Sequence, residues 1–176
     1  MDRKLGTALV LVLDDAEPFD AARAEVYPVA RAKGLPFHIT LLSPFVPCDD
    51  LSARLIAAVR VFFAGRPPLA FALTRLETFP GVVFAVPEPV EPMLETMHAL
   101  HARFPGLPPY GGEFDETIPH ATLAEIRPGG EVRVRRDLEA RLGRHLPWEI
   151  QVERATLLEE FAPGRWRERE RFALGG

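Results

Sequence analysis

The chain has 176 residues, 47% hydrophobic and 26% charged, with a formal net charge of −4, a composition that excludes intrinsic disorder and suits one globular domain or two small lobes. No apolar run approaches the roughly 20 residues of a membrane span, and the single cysteine, Cys48, cannot form an internal disulfide or a thiolate zinc site. The expected setting is the reducing cytoplasm, and the acidic balance disfavours extended duplex nucleic acid, because gripping a polyanion takes an excess of lysine and arginine.

Thr7 to Leu13 is a short apolar run between Gly6 and the pair Asp14-Asp15. It is too soon interrupted for a signal peptide and reads as a buried strand. Pro18 opens a predicted helix to about Lys33, ended by Gly34-Leu35-Pro36, and a second strand follows over Phe37 to Leu42. Pro44 and Pro47 close it. Asp50 or Ser52 then caps a helix carrying Leu55, Ile56, Val59, Phe62 and Phe63, which Arg66-Pro67-Pro68 stops. Leu69 to Thr78 and Val82 to Val86, joined by Phe79-Pro80-Gly81, predict an antiparallel hairpin. Glu88 to Phe104 reads as a helix whose methionines are core filler. Pro105 to Ile118 is a long loop, of the length that often serves a site. Pro119 to Ile126 is strand-like and Glu131 to His145 helical, and two late strands are predicted at Glu149 to Phe161 and Arg167 to Leu174. No linker divides the chain, so residues 1–176 are expected to form one α+β or α/β domain with antiparallel pairing at its centre.

The chemistry lies in a repeated tetrapeptide. His38-Ile39-Thr40-Leu41 and His120-Ala121-Thr122-Leu123 both have the form His-x-Thr-Leu and stand 82 residues apart. Random placement of five histidines and eight threonines gives roughly 0.2 His-x-Thr in such a chain, so a pair is not background. Each follows an extended-favouring element, Leu35-Pro36-Phe37 or Ile118-Pro119, and therefore reads as strand. On a strand, residues i and i+2 share a face about 7 Å apart. Each copy thus offers an imidazole beside a hydroxyl, over an apolar underside of Ile39 and Leu41 or Ala121 and Leu123. Two imidazoles and two hydroxyls suit in-line displacement at phosphorus. One imidazole accepts the nucleophile's proton, the other protonates the leaving oxygen, and the hydroxyls donate to the non-bridging oxygens. That scheme requires no metal and no cofactor.

His-Ile-Thr-Leu-Leu-Ser-Pro-Phe (38 to 45) and Pro-His-Ala-Thr-Leu (119 to 123) resemble the paired signatures of the two-histidine (2H) phosphoesterase superfamily, which includes the 2′-5′ RNA ligase and RNA 2′,3′-cyclic phosphodiesterase group. The likeness runs over nearly the whole chain. It implies an α+β fold of two intertwined lobes, with two mainly antiparallel sheets related by a pseudo-twofold axis, helices outside and a central cleft. It also implies opening of a 2′,3′-cyclic phosphate on a small nucleotide or RNA terminus, by a monomer, with His38 as proton donor to the leaving oxygen and His120 as acceptor from water. The spacing alone leaves those two roles open. The chain departs from many relatives in having Glu125 where they carry a basic residue after the second motif. A carboxylate there disfavours an adjacent phosphate and favours a small substrate.

Phe45, just past the first motif, and Tyr110, in the long loop, are candidates to stack on a base. Asp115 and Glu116 stand near enough in sequence to orient His120. His98 and His101 share a helix face without a third ligand in sight, and His145 suits a helix C-terminus. The competing readings are a nucleotide- or RNA-end-binding module that keeps the cleft with little turnover, and a metal-dependent hydrolase using His38 and His120 as ligands.

Overall fold

The computed structural model describes residues 4–112 and 117–176. The first apolar run forms β1 (Thr7–Val12), buried along its whole length, as a strand covered on both faces must be. The helix expected over Pro18 to Lys33 is two helices, α1 (Glu17–Val26) and α2 (Pro28–Ala32), parted at Tyr27. Pro28 has no N–H to continue the ladder and pushes the preceding residue out of helical geometry. Gly34 then turns the chain with φ +76°, and a Cβ there would stand 2.2 Å from the Trp166 carbonyl oxygen. Only glycine allows this approach. The next strand, β2 (His38–Leu42), carries the first motif. Ser52 caps α3 (Ala53–Ala64), its hydroxyl accepting from the Leu55 N–H at 3.1 Å.

The expected hairpin is β3 (Leu69–Phe79) with β4 (Val82–Glu88), followed by α4 (Glu91–Arg103). The long loop includes a 3₁₀ turn at Pro109–Gly112. Then come β5 (Ala121–Glu125) with the second motif and α5 (Glu131–Leu142), which runs into a 3₁₀ turn ending at His145. The two late strands expected from sequence are three: β6 (Trp148–Val152), β7 (Arg154–Ala162) and β8 (Arg165–Ala173). The apolar run beginning near Trp148 is broken at Glu153, because β6 and β7 pair with different neighbours.

Among the described residues, all eight strands join in one sheet, in the order β6-β3-β4-β5-β2-β1-β7-β8, and every pairing is antiparallel. This corrects the expectation of two sheets. Backbone pairing continues from one half to the other through β2 and β5, in a register that sets Ile39 opposite Ala121. The sheet cannot be flat. Six steps of inter-strand spacing separate β6 from β7, about 29 Å in a plane, yet the single residue Glu153 links the strands and spans only about 7 Å. The sheet therefore curls until its halves meet. The Trp148 indole N–H crosses that junction to donate to the Asp15 carbonyl at 3.0 Å.

Strand alternation separates two faces. Leu9, Leu11, Ile39, Leu41, Ala121 and Leu123 enter the main core with Phe19, Met97 and Leu100 from the helices. Ala8, Val10, Val12 and Leu158 form a smaller cluster on the other face, under Leu35 and Trp166. Among the described residues no helix is long and apolar enough to cross a membrane.

Phe19 is fully buried, stacks with Phe37 at 6.2 Å and meets Trp148 edge-on at 6.2 Å, so it fastens α1 to both halves of the sheet. Phe19→Ala is expected to cost roughly 3–5 kcal/mol by loss of burial and creation of a cavity. Urea denaturation measures this, and a loss under about 1 kcal/mol would contradict the packing described.

Candidate active site

The seam between the two halves assembles the motif residues. Extending the register of Ile39 and Ala121 by one residue each way sets His38 opposite Thr122 and Thr40 opposite His120. Directly opposed side chains on one face have Cβ atoms about 4.5–5.5 Å apart. The two motifs thus form a two-by-two patch with the histidines on one diagonal and the threonines on the other. All four residues are half-buried, whereas Ile39, Leu41, Ala121 and Leu123 beneath them are at most 1% exposed. The alternation read from sequence is the alternation observed.

Each imidazole is held the same way. Nδ1 of His38 lies 2.7 Å from the Pro36 carbonyl oxygen, and Nδ1 of His120 lies 2.8 Å from that of Ile118. A carbonyl only accepts, so Nδ1 carries the proton in both rings, and Nε2 is the basic nitrogen of each neutral imidazole. The prolines before the motifs contribute here: the extended backbone they favour leaves the carbonyl two residues upstream within reach of the ring.

The surroundings of the two rings differ. His120 packs edge-on against Phe79 and Phe84, with centroids 5.3 and 5.4 Å away, and these phenylalanines stack on each other at 4.3 Å. Behind His38 lies Arg23, 4% exposed, which donates to the Leu35 carbonyl at 3.1 Å and to Asp20 at 3.3 Å, and sits 5.9 Å from the Phe37 ring centroid. Arg23 therefore grips the lead-in to the first motif. Burial pushes the His38 imidazole down to about 4; the bond to Pro36 opposes this, and the charges of Arg23 and His120 add to it. Burial also holds His120 below the ordinary histidine value, against its bond to Ile118. Burial thus favours the neutral form of both rings in the unliganded protein.

Glu125 is held in place at the end of β5: the Tyr27 hydroxyl donates to its carboxylate at 2.7 Å. Burial and this bond raise the Tyr27 phenol to about 12. The register between β4 and β5 shifts between Val83 and Phe84, so that Phe84 faces Thr122 while Val82 faces Glu125. The carboxylate thus shares the histidine face.

Other candidates fare differently. Phe45 is 1% exposed and packs edge-on against Phe104 at 5.4 Å. Its ring belongs to the core, which corrects its reading as a base-stacking residue. The backbone of Tyr110 lies in the 3₁₀ turn; its side chain, and Asp115 and Glu116 entirely, fall outside the described residues. His101 brings Nε2 to 3.2 Å from the Leu41 carbonyl oxygen and tethers α4 to β2. His145 lies against Trp148.

Two features escaped the sequence reading. Arg23 occupies the apolar stripe of α1 with Phe19, Ala22 and Val26, and a lone arginine within such a stripe is a signal visible in sequence. Phe79 and Phe84 flank the hairpin turn, but their meeting with His120 depends on the pairing of β4 with β5, which sequence does not report.

The 2′-5′ RNA ligase superfamily model matches residues 12–161. "Putative phosphoesterase GK0864" of Geobacillus kaustophilus is 28% identical over 148 residues, covering 81% of this chain and 80% of the relative. A protein of Bacillus pumilus with the same assignment is 29% identical over 142 residues, 80% of this chain and 81% of the relative. Among solved structures, TT0787 of Thermus thermophilus matches with a TM-score of 0.65 at 21% identity, over 97% of this chain and 98% of that one. LigT of E. coli, crystallised with NADP+, matches with a TM-score of 0.59 at 19% identity, over 99% of this chain and all of that one. The chain belongs to the 2′-5′ RNA ligase superfamily.

Proposed function

We propose that this protein is a metal-independent phosphodiesterase that opens 2′,3′-cyclic phosphates, with His38 and His120 as its acid/base pair and Thr40 and Thr122 as its phosphate-binding hydroxyls. The observation that carries this reading is the quartet itself: two imidazoles, each anchored through Nδ1, beside two hydroxyls on one face of the β2–β5 seam. Superfamily membership and the relatives' names support phosphoester chemistry, and LigT crystallised with 3′-AMP supports a small nucleotide as ligand. The reading extends to the fold. The four-stranded halves β6-β3-β4-β5 and β8-β7-β1-β2 each place their motif strand innermost, as expected of lobes related by an approximate twofold axis at the seam.

In the proposed reaction, water attacks phosphorus opposite the leaving oxygen. One imidazole takes the water's proton at Nε2 as the new P–O bond forms. The other gives a proton to the ring oxygen as the old P–O bond breaks. The threonine hydroxyls donate to the non-bridging oxygens as their charge grows. An arriving phosphate anion favours protonation of a nearby imidazole, which supplies the acid that the unliganded site lacks.

The resemblance makes His38 the donor and His120 the acceptor. One observation favours the reverse: the buried Arg23 guanidinium lies behind His38 and opposes a proton there. An aryl phosphodiester separates the two readings, since its leaving group departs without a proton. The variant lacking the donor regains activity on it, His38→Ala if the resemblance holds and His120→Ala if Arg23 decides.

With adenosine 2′,3′-cyclic phosphate, His38→Ala and His120→Ala are each expected to lose about 10²- to 10⁴-fold in kcat, and Thr40→Ala or Thr122→Ala about 10²-fold. Activity in EDTA is expected to be undiminished. Full activity in both histidine variants refutes the reading. The pH profile adds a test with a definite sign. Below the lower histidine value both rings are protonated and no base remains; above the higher value both are neutral and no acid remains. Since both imidazoles lie below 6.5, kcat/KM, which reports the free enzyme, is expected to peak on the acid side of that value. A maximum above about pH 7.5 contradicts the assignment.

A further inference from the structure

Next to His120, on the same face of the sheet, lies a cavity of about 590 Å³ between β3, β4 and the segment entering β5. Its position follows from register. Arg75, Glu77 and Phe79 on β3 stand opposite Val86, Phe84 and Val82 on β4, and Phe84 stands opposite Thr122 on β5. The row that begins at the catalytic hydroxyl therefore continues into this cavity. Phe79, Phe84, Val86, Ile118 and Pro119 form its apolar wall, and the two phenylalanines are the rings packed against His120. Ile118, whose carbonyl holds the His120 ring, is 44% exposed. It is a large apolar side chain left open to solvent at the mouth of the proposed site.

The rim has a distinct sign. Three carboxylates, Glu77, Glu88 and Glu91, face one guanidinium, Arg75, and Arg75 is already bound by Glu77 at 3.2 Å and by Glu88. The lining therefore has a formal charge of −2, offset in part by Arg135, which reaches Glu77 at 3.9 Å from outside the cavity, and its own cation is engaged. Exposed carboxylates each disfavour a second anion modestly, and several on one rim add up, while the apolar wall still gains from covering an uncharged organic surface.

We propose that this cavity is the specificity pocket of the enzyme, that it takes the uncharged organic group carried by the reacting phosphate, and that its acidic rim selects low-molecular-weight phosphodiesters with no second phosphate. A lone nucleoside cyclic phosphate fits that description. An RNA end, whose next phosphodiester would approach the carboxylates, does not. The inference rests on the phosphodiesterase reading above and adds to it the substrate class and the residues that choose it.

The test compares kcat/KM for adenosine 2′,3′-cyclic phosphate with that for the same compound bearing a 5′-phosphate. Equilibrium binding of adenosine 3′-monophosphate and adenosine 3′,5′-bisphosphate is measured in parallel. The wild-type protein is expected to disfavour the second phosphate about tenfold or more in both comparisons, and Glu77→Gln/Glu91→Gln to reduce that discrimination to about threefold or less. Ile118→Ala, which adds no charge and keeps the backbone carbonyl, is expected to raise KM for adenosine 2′,3′-cyclic phosphate at least about threefold more than KM for glycerol 1,2-cyclic phosphate, which has no base to bury. Equal handling of the two adenosine substrates, or a ratio untouched by the glutamate variants, overturns the inference while the phosphodiesterase reading stands. If no cyclic phosphate is turned over, that reading fails, and the pocket is judged by binding alone. Preference for the monophosphate, weakened by Glu77→Gln/Glu91→Gln, sustains it; no binding, or no preference, ends it.

Discussion

The antiparallel pairing of Ile39 with Ala121 is the contact on which the rest of the structure depends. It is a short stretch of backbone, yet it turns two segments 82 residues apart into one surface and two half-sheets into a continuous one. Side-chain period on a strand is two, so a slip of one residue would send an imidazole and a hydroxyl into the core and bring an apolar pair to the surface. The burial of Ile39, Leu41, Ala121 and Leu123 against the helices resists that slip. On the proposed reading, function and stability are tied to the same register: the residues that hold it are apolar and face inward, and the residues that would use it are polar and face outward.

Around this seam the protein places few mobile charges. Arg23 is buried behind His38 and committed to Asp20 and the Leu35 carbonyl, Arg75 is bound by two glutamates, and Glu125 is tied to Tyr27. On the proposed reading, phosphate recognition falls to hydroxyls and to imidazoles whose protonation an arriving anion favours. Such recognition is local. It suits one phosphoryl group held at one place better than a long polyanion gripped by many cations, and it gives physical content to the acidic composition of the whole chain.

Much of this was legible in the sequence because strands that present a site have a signature. The motif strands, their polar-over-apolar alternation and the hairpin at Phe79-Pro80-Gly81 follow from period and turn chemistry alone, which also narrow the cap of α3 to Asp50 or Ser52; the structure selects Ser52. What sequence could not report was long-range pairing. The run from Glu149 to Phe161 looked like one strand because nothing local marks Glu153 as the point where the chain leaves β3 for β1. Phe45 was misread because an aromatic beside a motif is equally suited to a base or to Phe104, and only the fold decides. Arg23 was visible as a charge within an apolar stripe, but its closeness to His38 required the path of the Leu35-Pro36-Phe37 lead-in.

The central claim is that His38 and His120 address a single phosphoryl group. Nitrogen-15 NMR of the two imidazoles during titration with inorganic phosphate tests it without relying on any choice of substrate. The expected result is that both rings respond, each more readily protonated than before, with one common dissociation constant. A response of only one ring, or two unrelated constants, would show that the histidines do not share a site and would contradict the claim.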